Sequence, residues 1–224
     1  MPRHARGFDT EAAYAHLARR DRKPAAWMKK IGPIAADPRW RKPFDPVDAL
    51  ARAILYQQLS GKAAATIVSR VEAGIDSDRV HCDTLGRCDD ATIRACGVSG
   101  NKLLALRDLA LRESRGEIPD LRRMSTMDND AIIAALVPVR GIGRWTVEMM
   151  LMFRLGRPDV LPVDDLGVRK GAQLVDKLET MPTPKDLAAS GERWGPFRTY
   201  ASMYLWRVAD FAANARVPTK RSQD

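Results

Sequence analysis

Residues 136–170 read LVPVRGIGRWTVEMMLMFRLGRPDVLPVDDLGVRK, and the fold turns on how they are read. Val139-Arg140-Gly141-Ile142-Gly143-Arg144-Trp145-Thr146 has the form of a tight glycine hairpin feeding a helix. Glycines on either side of Ile142 allow positive φ and leave the backbone bare. Its N–H groups can then approach a phosphate while Ile142 anchors the turn inside. The helix starting near Arg144 points the positive end of its dipole at the same place, a grip that holds nucleic acid without reading its sequence. Further on, Pro158 and Pro162 keep the chain extended up to two adjacent carboxylates, Asp164 and Asp165, at the start of another helix. An anion-binding hairpin followed by a carboxylate suggests an enzyme that grips DNA and works on one nucleotide. Gly-x-Gly before a helix is common on its own; apolar Leu136 and Val139 ahead of it and Trp145-Thr146-Val147 behind make the signal specific. An Asp before Leu166-Gly167-Val168 also has the form of an ordinary helix cap, so from the residues alone both roles stay open.

The whole chain is compatible with that reading. Its 224 residues can bury one substantial core, as one domain or as two lobes. The 37 Lys and Arg against 28 Asp and Glu give a net charge of +9, which suits a polyanionic partner but also a merely basic enzyme. Cys82, Cys88 and Cys96 lack Cys-x-x-Cys spacing and have only His81 nearby, which argues against a zinc or iron–sulfur site and for reduced thiols. No apolar segment follows Met1-Pro2-Arg3-His4-Ala5-Arg6 as a signal peptide would require. The longest apolar run, Val147–Leu155, contains Glu148 and Arg154 and is too short for a bilayer. The expectation is a soluble intracellular protein with no membrane partner, cytoplasmic and nucleoid-associated in a bacterium, nuclear in a eukaryote.

Helical periodicity dominates, with no run of alternating strand. It predicts helices over about Thr10–Arg19, Pro46–Gln58, Ala63–Ala73, Lys102–Glu113, Asn129–Leu136, Trp145–Leu155, Leu166–Lys177 and Phe197–Phe211. Asp45-Pro46 opens the second, Ser99-Gly100 precedes the fourth, and Ser125-x-x-Asp128 has the form of a capping box before the fifth. Gly32-Pro33-Ile34 and Pro38–Pro43 read as loop. The expected fold class is all-α: a compact two-lobed bundle of about ten helices carrying a helix-hairpin-helix motif. It forms a single unit over residues 1–224, with a core at about 10–212 and a basic, poorly ordered tail at about 215–224.

VRGIGRWTVEMM (139–150) followed by LPVDDLGVRKG (161–171) resembles the helix-hairpin-helix DNA glycosylase superfamily, and within it the 3-methyladenine DNA glycosylase II (AlkA-type) branch. Ile54-Leu55-Tyr56-Gln57-Gln58-Leu59-Ser60 resembles the loop that this family wedges into DNA. The stretch from Arg193 through Trp206 resembles its C-terminal helix. The resemblance runs from about Phe44 to Ala209, without the β-rich N-terminal extension of the largest members.

The resemblance implies a role for each of these positions. Asp165 matches the catalytic Asp, which leaves Asp164, the secondary carboxylate, as the expected cap. Trp145 and Trp206 match pocket tryptophans between which a flipped base would stack, a cationic alkylbase gaining extra attraction from an indole. Met149 stands where the family often has another aromatic. Tyr200 is a further pocket candidate, although it and Trp194 read equally as core. Gln57 and Gln58 fall at the wedge, Gln58 matching a leucine in the best-known member; a solvated loop pair is the other reading. Gly141, Gly143, Arg140, Arg144 and Lys170 are the expected DNA-backbone contacts, with Ser99-Gly100-Asn101-Lys102 as a second one. Bifunctional members carry a Schiff-base lysine where this chain has Trp145, so the resemblance implies a monofunctional glycosylase. Its expected partner is double-stranded DNA carrying alkylated bases, 3-methyladenine first and 7-methylguanine after it, and its expected state is a monomer. No metal is expected on side chains, and no cysteine cluster follows Trp206, which excludes the iron–sulfur branch; hairpins of this type can hold a monovalent cation on backbone carbonyls. Two rivals stand beside this: a DNA-binding protein that keeps the hairpin without catalysis, and a glycosylase for oxidised or deaminated bases.

Overall fold

The computed structural model describes residues 4–214; the expected basic tail lies outside the described residues. In chain order the helices are α1 (Thr10–Arg20), α2 (Arg22–Ile31), α3 (Pro46–Tyr56), α4 (Gly61–Ile75), α5 (Cys82–Leu85), α6 (Asp90–Ala95), α7 (Gly100–Ser114), α8 (Leu121–Met124), α9 (Asn129–Leu136), α10 (Arg144–Met150), α11 (Leu166–Asp176), α12 (Pro184–Gly191) and α13 (Arg198–Asn214). Short 3-10 turns at Pro38–Arg41 and Glu192–Trp194 and a π turn at Leu151–Leu155 complete the set; there is no strand among the described residues. The all-α expectation holds, and no helix is long and apolar enough to cross a membrane.

The elements fall into two compact units. His4 and residues 42–147 form the first; residues 5–41 and 148–214 form the second. The division passes through α10.

In the first unit α3 packs on α4 and α7, and α5 and α6 pack on α7. Leu50, Ile54, Val71, Leu106, Ile132, Leu136 and Ile142 are among the residues that close its core. Helix starts follow polar caps: Asp45 accepts from Val47 N–H and Asp48 N–H ahead of Pro46, and Ser60 and Ser99 cap α4 and α7. Ser125 does not form the expected capping box. It ends α8, and Asp128 alone caps α9 through Ala131 N–H, because a four-residue helix fills the gap that looked like loop.

In the second unit α11 lies along α13, with α1 and α2 against them. Its core holds Leu17, Met28, Val168, Ala172, Trp194, Tyr200, Tyr204 and Val208. The 3-10 turn at Pro38–Arg41, expected as loop, buries Trp40, whose Nε1 donates to Met152 O at 2.7 Å. That bond is one of three that serve the π turn: Arg6 Nη2 donates to Arg154 O at 2.9 Å and Gly7 N to Leu155 O at 3.4 Å. Carbonyls that a widened turn takes out of α-helical register are thereby satisfied from the N-terminal arm. The expected helix through Leu155 thus stops being α at Met150.

Candidate active site

The hairpin is built entirely within the first unit. Gly141 takes φ +78° and Gly143 does not, so only one of the two glycines serves the turn through its backbone freedom. Gly143 opens α10 instead, its carbonyl accepting from Thr146 N–H at 3.0 Å and Val147 N–H at 3.3 Å. A Cβ there would meet nothing within 4 Å, so the glycine keeps this spot bare. Ile142 is buried, and its N–H returns to Val139 O at 3.0 Å. Both glycines are exposed, as a surface that meets a phosphate must be. Arg140 is fixed by its backbone: its N–H donates to Asp108 Oδ2 at 2.7 Å, leaving its exposed side chain pointed at solvent. Burial pushes the Asp108 carboxyl up, yet the Arg140 N–H and the Arg112 guanidinium together hold it below its ordinary value. Arg144 lies 3.8 Å from Asp130 at the edge of the same surface.

The two wedge glutamines separate. Gln57 Nε2 donates to Gly141 O at 2.8 Å, while its own carbonyl accepts from Lys102 Nζ at 2.8 Å. The same ammonium reaches Leu55 O at 2.7 Å, and its burial pulls Lys102 below the usual lysine range. The Lys102 ammonium therefore closes the end of α3, within the segment expected to make a second DNA-backbone contact. Gln58 is exposed and held at φ +58°, a conformation that is uncommon for a residue with a side chain and worth explaining where it occurs. A groove of about 390 Å³ runs past Ile54, Gln57, Gln58, Lys102, Arg140 and Gly141. Trp145, on the first turn of α10, is 47% exposed.

The carboxylate belongs to the second unit. Asp165, and not Asp164, caps α11. Its Oδ1 accepts from Val168 N–H at 2.8 Å and from the Trp206 indole N–H, also at 2.8 Å. Asp164 is exposed; the cap expected of Asp164 is made by Asp165 itself. Gly167 makes room for the indole, since a Cβ there would lie 2.8 Å from Trp206 Cδ1 and 3.2 Å from Asp165 Oδ1.

Phe153, on the π turn, stacks on Trp206 with centroids 5.8 Å apart and planes 28° from parallel. The Arg39 guanidinium lies 4.7 Å from the Phe153 ring centre, and Asp37 grips Arg39 through both carboxylate oxygens. Sequence reasoning missed Phe153 and Arg39. The periodicity carried a regular helix past Phe153, and Arg39 sat in a segment read as loop. Met149 is half-buried in this unit, and Lys170 donates to Gln173 Oε1 at 2.7 Å. Tyr200 is no pocket residue: it is fully buried, donates to Ile34 O at 2.9 Å and accepts from Ile34 N–H at 3.1 Å. Trp194 is core as well.

No group of three or more His, Cys, Asp or Glu that could hold a metal occurs among the described residues. The carbonyls of Val139, Gly141 and Gly143 each accept a hydrogen bond. Those of Val139 and Gly141 accept one each and have a second lone pair that can face a monovalent cation, whereas that of Gly143 accepts two.

A family model described as HhH-GPD superfamily base excision DNA repair protein matches residues 51–197. DNA-3-methyladenine glycosylase 1 of Schizosaccharomyces pombe is 34% identical over 201 residues, 89% of this chain and 88% of that protein. The alkylbase DNA glycosidase-like protein mag2 of the same yeast is 27% identical over 202 residues, 89% of this chain and 94% of its own. Among solved structures, the S. pombe 3-methyladenine DNA glycosylase in complex with abasic DNA superposes with a TM-score of 0.75 at 34% identity, covering 88% of this chain and 95% of that one. A DNA-3-methyladenine glycosidase from Bacillus halodurans reaches a TM-score of 0.80 at 30% identity, covering 96% and 95%.

Proposed function

Because the chain belongs to the HhH-GPD superfamily of base excision DNA repair proteins, we propose that it is a monofunctional DNA glycosylase. It removes alkylated purines from duplex DNA, 3-methyladenine above all and 7-methylguanine after it, and works as a monomer where the DNA is: the nucleoid of a bacterium or the nucleus of a eukaryote. The observation that carries the reading is the Asp165 carboxylate, held by one donor from α11 and one from α13. Breaking an N-glycosidic bond builds positive charge on the deoxyribose. A carboxylate placed beforehand stabilises that charge and orients the attacking water. An alkylated purine already carries positive charge and departs without an acid, so one carboxylate is enough where sugar hydrolases use two.

The other residues divide the remaining work. Gly141 and Gly143 offer bare backbone to a phosphate, and Arg140, Arg144 and Lys170 add charge nearby. Gln58, exposed and held apart from the braced Gln57, is the side chain that fills the gap left by the flipped nucleotide. The indoles of Trp145 and Trp206 offer π faces to a cationic base, while Met149 is softer and less π-rich than an aromatic there. Trp145 has no amine, so no Schiff base forms and the product is an abasic site.

The test is release of methylated purines from duplex DNA by the wild type, Asp165→Asn and Asp164→Asn. Asp165→Asn should slow release by roughly 10²–10³-fold, the cost of losing a preplaced electrostatic stabiliser. Asp164→Asn should remain close to wild type. Release by Asp165→Asn at the wild-type rate would overturn the mechanism; no release even by the wild type would leave a DNA-binding protein without catalysis.

A further inference from the structure

We infer that Trp206 is a positioning residue for Asp165 and that Phe153 and Arg39 hold it to that task; the inference rests on the glycosylase reading above. A lone cap bond leaves a carboxylate free to swing. Here the Val168 N–H and the Trp206 indole N–H arrive at the same oxygen from two different helices. Together they fix the direction of the side chain. A neutral N–H bonded to a carboxylate is a charge-assisted hydrogen bond, roughly twice as strong as one between neutral groups.

The surroundings are organised around that bond. Gly167 is the one residue whose absent Cβ lets the indole edge come this near the start of α11. Phe153 covers one face of the indole, so that face is closed to a base. Arg39 lies over the phenyl ring in turn, and Asp37 anchors Arg39. The result is a layered stack of guanidinium, phenyl and indole that ends on the carboxylate. The π turn places Phe153 in it; widened turns of this kind are frequent at functional sites. A base pocket needs only an exposed aromatic face. A stack that aims a ring N–H at the catalytic oxygen implies work done through Asp165.

Trp206→Phe keeps the ring and removes the donor, so it separates the two roles. Single-turnover release of 7-methylguanine from methylated duplex DNA would be measured for this variant in the wild-type and the Asp165→Asn backgrounds. Affinity for a duplex carrying a stable abasic-site analogue would be measured alongside. We expect release at saturating enzyme to fall by about 10- to 100-fold, the scale of a catalytic group misplaced by about an ångström. Affinity for the abasic duplex should stay within about twofold, and the substitution should cost nothing further once Asp165 is already Asn, because residues acting as a unit are non-additive. Phe153→Leu, which keeps an apolar filler, should slow release in the same way and decides the matter if Trp206→Phe does not fold. Equal fold-losses in both backgrounds, or weaker binding with an unchanged saturating rate, would make Trp206 a stacking surface and overturn the inference. If Asp165→Asn shows no release above the uncatalysed rate, the contrast between saturating rate and affinity decides. Wild-type release by Asp165→Asn would instead overturn the functional reading.

Discussion

At the scale of single residues, Gly167 shows how much an absent atom can matter. Adding one methyl group would put it 2.8 Å from the Trp206 ring and 3.2 Å from the Asp165 oxygen. Gly167→Ala should therefore slow base release by at least about tenfold by pushing the indole off the carboxylate, with both measured directly: excision by single turnover, stability by thermal melting. The loss of stability should be modest, about 1 kcal/mol, since the site is partly open to solvent. Gln58 gives the opposite pairing. Its left-handed backbone at φ +58° costs roughly 1–2 kcal/mol in a residue with a Cβ. Gln58→Gly should thus leave the melting temperature unchanged or raised while slowing excision, because the wedge is gone. A fall in both would mean that Gln58 supports the fold. In sequence, Gln57 and Gln58 are indistinguishable neighbours. What separates them is Lys102, which reaches the Gln57 carbonyl from 45 positions away, and no local pattern contains that. Asp165 was legible because its motif carries it, whereas the second bond its Oδ1 accepts comes from Trp206, 41 positions away.

At the scale of elements, α11 and α13 meet at Gly171, whose absent Cβ would fall 2.1 Å from the Leu205 carbonyl oxygen. Gly171→Ala forces backbone from backbone and should cost about 3 kcal/mol or more in urea unfolding. Arg198 opens α13 and grips Asp159 with Nε at 2.6 Å and Nη2 at 2.8 Å. Burial pushes the Asp159 carboxyl up, but the Arg198 guanidinium and N–H outweigh it and hold the group below its ordinary value. A carboxyl depressed in the folded state stabilises fully above its unfolded pKa and loses that contribution as pH falls through the folded value. Asp159→Asn should therefore be less stable than wild type at neutral pH, the gap narrowing once pH drops below about 4. Urea melts at pH 7 and pH 3.5 measure it. The helices legible in the sequence were those long enough to repeat an apolar face, such as α3, α7 and α11, helped by Asp45 and Ser99 at their caps. Hidden were α5, α6 and α8, each too short for a full period, α12, which buries only Leu187 and Gly191, and α2, where Lys and Arg surround Trp27 and Met28. The π turn was hidden for another reason: the bonds that stabilise it come from Arg6, Gly7 and Trp40.

At the scale of the whole molecule, the net charge of +9 suits a polyanion, and the number of phosphates contacted sets how binding responds to salt. Affinity for duplex DNA should fall linearly on a log–log plot, each phosphate contact adding roughly 0.9 to the slope. Arg140→Ala and Arg144→Ala should each flatten that slope by about one contact; an unchanged slope would take that arginine off the backbone. Charge and hairpin could be read from the sequence. The chain's division could not, because it follows contacts and not composition: residues 5–41 join residues 148–214, with 42–147 between them. That interruption sets a schedule for synthesis. Among the described helices, α1 and α2 leave the ribosome before the others, with Leu17 and Met28 exposed, and α13, which shares their core, leaves after them all. At ~5–20 residues per second the wait is roughly ten to forty seconds, during which those apolar side chains have no helix of their own unit's far half to cover them.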